Sequence, residues 1–124
     1  MLPNYVVQET TVRESGESAV FPLGEYSNSN LLITLGITHA MEQQSLDLDV
    51  YCSGDGKTWQ DKPMATFPSK FYCGTYQLSL PPADGRFVKA VWRVNRWGRG
   101  QSRPLFRFYV CAEPARDNVF AGAA

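Results

Sequence analysis

The chain predicts an all-β protein, a single antiparallel β-sandwich of jelly-roll type with about eight short strands. Three observations carry that expectation. Apolar and polar residues alternate, most cleanly over Leu46–Cys52, where Leu46, Leu48, Val50 and Cys52 share one face and Asp47, Asp49 and Tyr51 the other. A period of two belongs to a strand with one buried face. Eight prolines and ten glycines lie between short apolar runs, as the turns of an all-β chain require. The 124 residues, 44% hydrophobic and 13% aromatic, suffice for one packed domain.

Tyr5–Val12 reads as the first strand, followed by the polar turn Glu14-Ser15-Gly16-Glu17. Ala19–Leu23 is short, and Pro22, with no amide hydrogen to donate, confines it to an edge. Glu25–Asn30 is a loop by composition. Asn30–Ile37 places Leu31, Ile33, Leu35 and Ile37 on one face of a central strand. Thr38–Ser45 is the one stretch suited to a helical turn. After Leu46–Cys52, Ser53-Gly54-Asp55-Gly56-Lys57 turns tightly ahead of Trp59, which is expected to plug the core. A short segment follows at Met64–Phe67, and a strand at Tyr76, Leu78 and Leu80 ends in Pro81-Pro82. Arg86–Ala112 reads as a hairpin that organises the chain, with Trp92 and Phe106 as buried neighbours. The domain is bounded at 1–114. Residues 115–124 form a flexible or partner-docking tail, carrying Val119 and Phe120.

The segment Asp49–Trp59, DVYCSGDGKTW, is the most specific in the chain. Its strand, serine, Gly-Asp-Gly turn and tryptophan resemble the S-x-D-G-x-x-W element of discoidin-type domains. Arg86 with Phe87-Val88-Lys89-Ala90-Val91 stands where that family has its R-Y-V-R-I strand, and Leu105–Val110 is similar to its closing strand. The similarity covers about Leu31 to Ala112 and implies a galactose-binding-like jelly roll. The family's usual disulfide between the domain ends has no counterpart, because no cysteine lies near the N-terminus.

Several chemistries lack their residues. Gly54-Asp55-Gly56-Lys57-Thr58 has the tail of a phosphate-binding loop without its first glycine, since Tyr51 stands there, and no helical pattern follows. His39 is the single histidine, with no nucleophile placed beside it by the sequence. Asp47 and Asp49 share a face and offer oxygen ligands, but outward carboxylates on a strand are usually solvated. No enzyme, no metal and no cofactor is therefore expected. Cys52, Cys73 and Cys111, an odd count without a CxxC pair, read first as buried free thiols, next as one disulfide with a cysteine left over, and last as a zinc site. No apolar run reaches the ~20 residues of a membrane helix. The opening MLPNYVVQETTV has no signal-peptide pattern, so a cytoplasmic location is expected.

Charge points to partners. Residues 1–56 hold eight acids against Arg13 alone, and residues 57–124 hold eleven bases against four acids. Cross-strand pairing within the chain accounts for such a split, and so does head-to-tail contact between copies. The second reading makes the protein a self-assembling homo-oligomer. Arg96, Arg99 and Arg103 would then meet the Asp47/Asp49 strand of a neighbour, with Trp97 as the apolar anchor. The alternative is a carbohydrate-binding domain using Trp97, Tyr72 and Arg99 on loops. A nucleic-acid surface along the seven bases between Gly85 and Val110 ranks below both.

Overall fold

Leu46–Cys52, the run of cleanest alternation, lies at the heart of one sheet. The computed structural model describes residues 4–23, 30–41, 43–59, 61–80, 87–97 and 104–114. It contains nine strands: β1 (Asn4–Val12), β2 (Gly16–Glu17), β3 (Phe21–Pro22), β4 (Leu31–Ala40), β5 (Gln44–Ser53), β6 (Ala65–Lys70), β7 (Gly74–Leu80), β8 (Phe87–Arg96) and β9 (Phe106–Pro114). All pairings are antiparallel. One sheet runs β1-β9-β4-β7 and the other β2-β8-β5-β6, with β3 also paired to β8.

The all-β sandwich is thus as the alternation predicts, with nine strands because Gly16–Glu17, expected within a polar turn, pairs with β8 as the short strand β2. Between the sheets β5 contributes Leu46, Leu48 and Val50, and β8 contributes Val88 and Ala90. Facing them are Ile33, Leu35 and Ile37 of β4 and Phe106, Phe108 and Val110 of β9. Each fully buried large side chain contributes ~1.5–3 kcal/mol of transfer free energy. Pro22 and Pro68 both fall on edge strands, where a missing N–H leaves no gap in a ladder.

Four local expectations are corrected. Arg86–Ala112 is not a hairpin: β8 and β9 lie in opposite sheets, so the segment crosses the sandwich. Thr38–Ser45 forms no helical turn, because β4 runs on to Ala40 and β5 begins at Gln44, with Gln43 at φ 57° in the turn between. Trp92 is half-buried and packs edge-on against Phe108 rather than Phe106, ring centroids 5.4 Å apart, while its indole N–H donates to the Glu14 carbonyl. Trp59 does not plug the core; it is partly exposed beneath the Lys89 ammonium, 4.6 Å from its ring centre.

Gly36 sits opposite Tyr109 on the outer face of the first sheet. The phenol ring lies across it where any Cβ would collide. This close approach explains a glycine inside a central strand.

Candidate functional site: an aromatic cleft at one end of the sandwich

Part of the charge split is resolved within the chain, among the described residues. Lys89 pairs with Glu17 at 3.1 Å, Arg93 with Asp49 at 2.6 Å, and Arg107 with Glu9. Each pair joins an acid from the first half to a base from the second. Arg107, then Thr38, hold the Glu9 carboxyl below its ordinary range by hydrogen bonding. Asp49 is only 4% exposed although it points out of the sheet, because Arg93 of β8 and Thr66 of β6 close over it from both sides. Asp47, two residues earlier, is half-buried and accepts a hydrogen bond from Ser69.

The S-x-D-G-x-x-W element proves to be a self-satisfied turn. The Ser53 hydroxyl oxygen accepts from the Gly56 N–H at 2.9 Å and lies 2.7 Å from the Thr58 carbonyl. One Asp55 carboxylate oxygen accepts from the N–H groups of Lys57 and Thr58, both at 2.8 Å. Those two amides, ahead of the Ser53 hydroxyl, hold the Asp55 carboxyl down to about 2. Gly56 has φ 76°, a conformation that costs little only without a Cβ. The spacing of serine, aspartate and glycine is therefore explained by backbone hydrogen bonding.

At the other end of β5 the side chains are not satisfied in this way. Ala40 and Met41 from the end of β4, Gln43 and Gln44 from the turn, Phe71, Tyr72 and Cys73 between β6 and β7, and Trp97 just beyond β8 surround a cleft of ≈ 510 Å³. Phe71 and Trp97 meet edge to face with ring centres 6.0 Å apart, and Tyr72 adjoins Phe71 at 6.3 Å. Tyr72 is 77% exposed, Trp97 54% and Phe71 43%, three of the five large apolar side chains that are exposed among the described residues.

The backbone beneath these rings is held firmly. The Trp97 N–H donates to the Gln43 carbonyl at 2.9 Å. The Gln44 side chain, 1% exposed, binds residue 105 twice, donating to the Leu105 carbonyl at 2.7 Å and accepting its N–H at 2.9 Å. The Tyr76 hydroxyl donates to the Tyr72 carbonyl at 3.1 Å, and the Lys70 ammonium lies 4.5 Å from the Tyr76 ring centre. Among the described residues, the Tyr72 hydroxyl, the Trp97 indole N–H and the Gln43 amide have no hydrogen-bond partner. Rigid main chain thus presents aromatic faces and free polar tips around a hollow. Every described lining residue is uncharged.

Of the residues singled out in the sequence, Trp97 and Tyr72 are brought together here. Asp47 and Asp49 are placed on the outer face of β5, apart from the cleft lining. Arg96 ends β8 opposite Gln44, sharing the parity of Val94 and Trp92, and its Nε and Nη1 are buried without a hydrogen-bond partner. Arg99 and Arg103 lie outside the described residues, as does the tail at 115–124. Met41, Gln43 and Cys73 join the site unforeseen, and Phe71 joins it at the surface; the aromatic density of FPSKFYCGTY is a signal for Phe71 and Cys73 but not for Met41 or Gln43.

All three cysteines are free. Cys52 and Cys111 are buried, which pushes both thiols up, whereas Cys73 is exposed at the cleft, contrary to the expectation of three buried thiols. His39 is exposed on β4 opposite Arg107. Among the described residues no three His, Cys, Asp or Glu side chains gather as metal ligands. Among the described residues no helix is long and apolar enough to cross a membrane. The chain matches no protein-family model, no curated protein and no solved structure.

Proposed function

We propose that the protein is a non-catalytic recognition module of jelly-roll type whose working surface is the aromatic cleft, and that the cleft takes a carbohydrate. Counting β2 and β3 as one interrupted strand, the sheets run first-eighth-third-sixth and second-seventh-fourth-fifth. That order supports the jelly-roll reading and, with it, the discoidin-like resemblance.

The carrying observation is the gathering of Phe71, Tyr72 and Trp97 around one hollow whose described walls are uncharged. Ring faces stack on the C–H surfaces of a pyranose, and free hydroxyl, indole and amide groups bond its hydroxyls. A phosphate backbone would instead need cations in the lining, and the described lining has none. The test is an array of neutral and acidic oligosaccharides. Binding is expected to be lost in Trp97→Ala and Tyr72→Ala and retained in Trp97→Phe. Folded protein that binds nothing above background would overturn the reading.

Self-assembly is the second reading. Head-to-tail ion pairing has little to draw on, since Arg93 already neutralises Asp49 inside the chain. A different feature, the free edge of β7, favours association.

A further inference from the structure

Any open sheet leaves a row of backbone N–H and C=O groups along its rim, and folded chains blunt such rims with bulges, prolines, charges or very short strands. Three of the four rims here are blunted. β1 shifts register between Tyr5 and Val7 and again before Thr10, and it carries Glu9. β2 and β3 are two residues each. β6 contains Pro68, and its pairing with β5 also shifts register.

β7 has none of these devices. Its seven residues, Gly-Thr-Tyr-Gln-Leu-Ser-Leu, contain no proline and no charge. They pair with β4 without a shift from Gly74↔Ile37 to Leu80↔Leu31. Tyr76 and Leu78 lie opposite the buried Leu35 and Ile33 and so face the core, yet both are only partly buried. Among the described residues no strand lies beyond β7 to cover them.

We propose that β7 pairs with β7 of a second copy of this chain, antiparallel about a two-fold axis at Gln77, joining two four-stranded sheets into one of eight. This deepens the self-assembly reading and is independent of what the cleft binds. An antiparallel edge is complementary to itself, so a two-fold partner needs no second kind of surface. The mid-strand register sets Gln77 against Gln77 of the partner subunit, Thr75 against Ser79 of the partner subunit, and Tyr76 against Leu78 of the partner subunit. The last contact covers the apolar side chains that β7 leaves partly exposed. Charge selects the occupant. A strand that meets its own copy brings like residues together near the axis, where a lysine or glutamate would repel its twin. β7 is neutral throughout. Lys70, which reaches over Tyr76, belongs to β6 in the other sheet.

Light scattering on a sizing column, at rising protein concentration, tests association. The unmodified chain is expected to be dimeric, and Gln77→Lys monomeric at the same concentration with an unchanged circular dichroism spectrum, since that side chain is exposed. Gln77→Cys in a Cys73→Ser background tests the register. Directly opposed residues of an antiparallel pair lie ~4.5–5.5 Å apart, within disulfide reach, so oxidised glutathione should give a covalent dimer. Thr75→Cys, opposite serine, should not cross-link. An unmodified chain that stays monomeric at every concentration overturns both the β7 pairing and the self-assembly reading. A dimer that survives Gln77→Lys and fails to cross-link at position 77 overturns the β7 pairing alone.

Discussion

The two ends of β5 handle polar groups in opposite ways. At the Ser53 end, one hydroxyl and one carboxylate bind the backbone of Asp55, Gly56, Lys57 and Thr58, and the turn needs nothing from outside. At the Gln44 end the main chain is equally well held, by Gln44 on Leu105 and by Trp97 on Gln43, but the side chains above it are not. Aromatic faces stay in water and their polar tips lack partners among the described residues. The most recognisable motif in the sequence is therefore a structural turn. The candidate site is where rigid backbone carries unspent side chains. Exposed apolar surface on a well-anchored frame is a cost that folding alone does not require.

The middle of the sandwich sets the scale for comparing the ends. Phe108 is fully buried and carries the edge contact with Trp92. Phe108→Ala is expected to lower stability by ~3–5 kcal/mol, through lost transfer energy and the cavity left behind. Urea unfolding followed by circular dichroism measures it. A loss below 1 kcal/mol, taking the lower bound for such truncations as ~3 kcal/mol, would mean the two sheets are not packed as described.

Ser53→Ala should come next, at ~1–3 kcal/mol, because the amides it serves keep no acceptor in a site that is 4% exposed. Ser53→Thr keeps the hydroxyl and should recover part of the loss. If Ser53→Ala unfolds at the parent's denaturant concentration, the turn is not held by its hydrogen bonds.

The same turn predicts an acid limb. Asp55 in the folded chain is held down to about 2, below its ordinary 3.8, so between those values it binds fewer protons folded than unfolded. A depressed carboxyl adds stability that is complete above pH ~4 and is lost as pH falls toward ~2. Glu9, also lowered, adds to the same limb. Asp55→Asn should flatten the acid limb relative to the parent in thermal melts between pH 2 and 5. An identical slope in both proteins would remove Asp55 from the account.

Much of this fold was legible because alternation reports which face of a strand is buried. Leu46–Cys52, Asn30–Ile37 and Tyr76–Leu80 are strands with the inward residues the sequence names. Alternation does not report which strand pairs with which. Val88–Val94 and Phe106–Val110 therefore read as a hairpin, although they face each other across the core from opposite sheets. Asp49 was taken as solvated for a related reason. Its outward direction follows from parity, but its burial follows from Arg93 and Thr66 on flanking strands, which only the pairing reveals. Two of the eight described lining residues were visible, since Trp97 and Tyr72 are large aromatics in turn-rich sequence. Met41 and Gln43 were hidden because the β4–β5 turn was read as helical.

The smallest effect on stability should separate the ends most sharply. Trp97 is 54% exposed, its backbone is held by Gln43, and its ring meets that of Phe71, itself exposed, edge to face. Trp97→Ala removes no hydrogen bond made by the side chain and opens no core cavity, so the stability change should stay within ~0.5 kcal/mol, as for surface substitutions generally. The loss should appear instead in accessibility and binding. Of the three tryptophans, Trp92 packs against Phe108 and Trp59 lies under Lys89, which leaves Trp97 as the ring most open to acrylamide. The variant should lose the most readily quenched part of the fluorescence and any saccharide-induced change in the remainder, with its melting temperature nearly unmoved. A destabilisation comparable to that of Ser53→Ala would show that both ends of β5 are structural, and the distinction between them would fail.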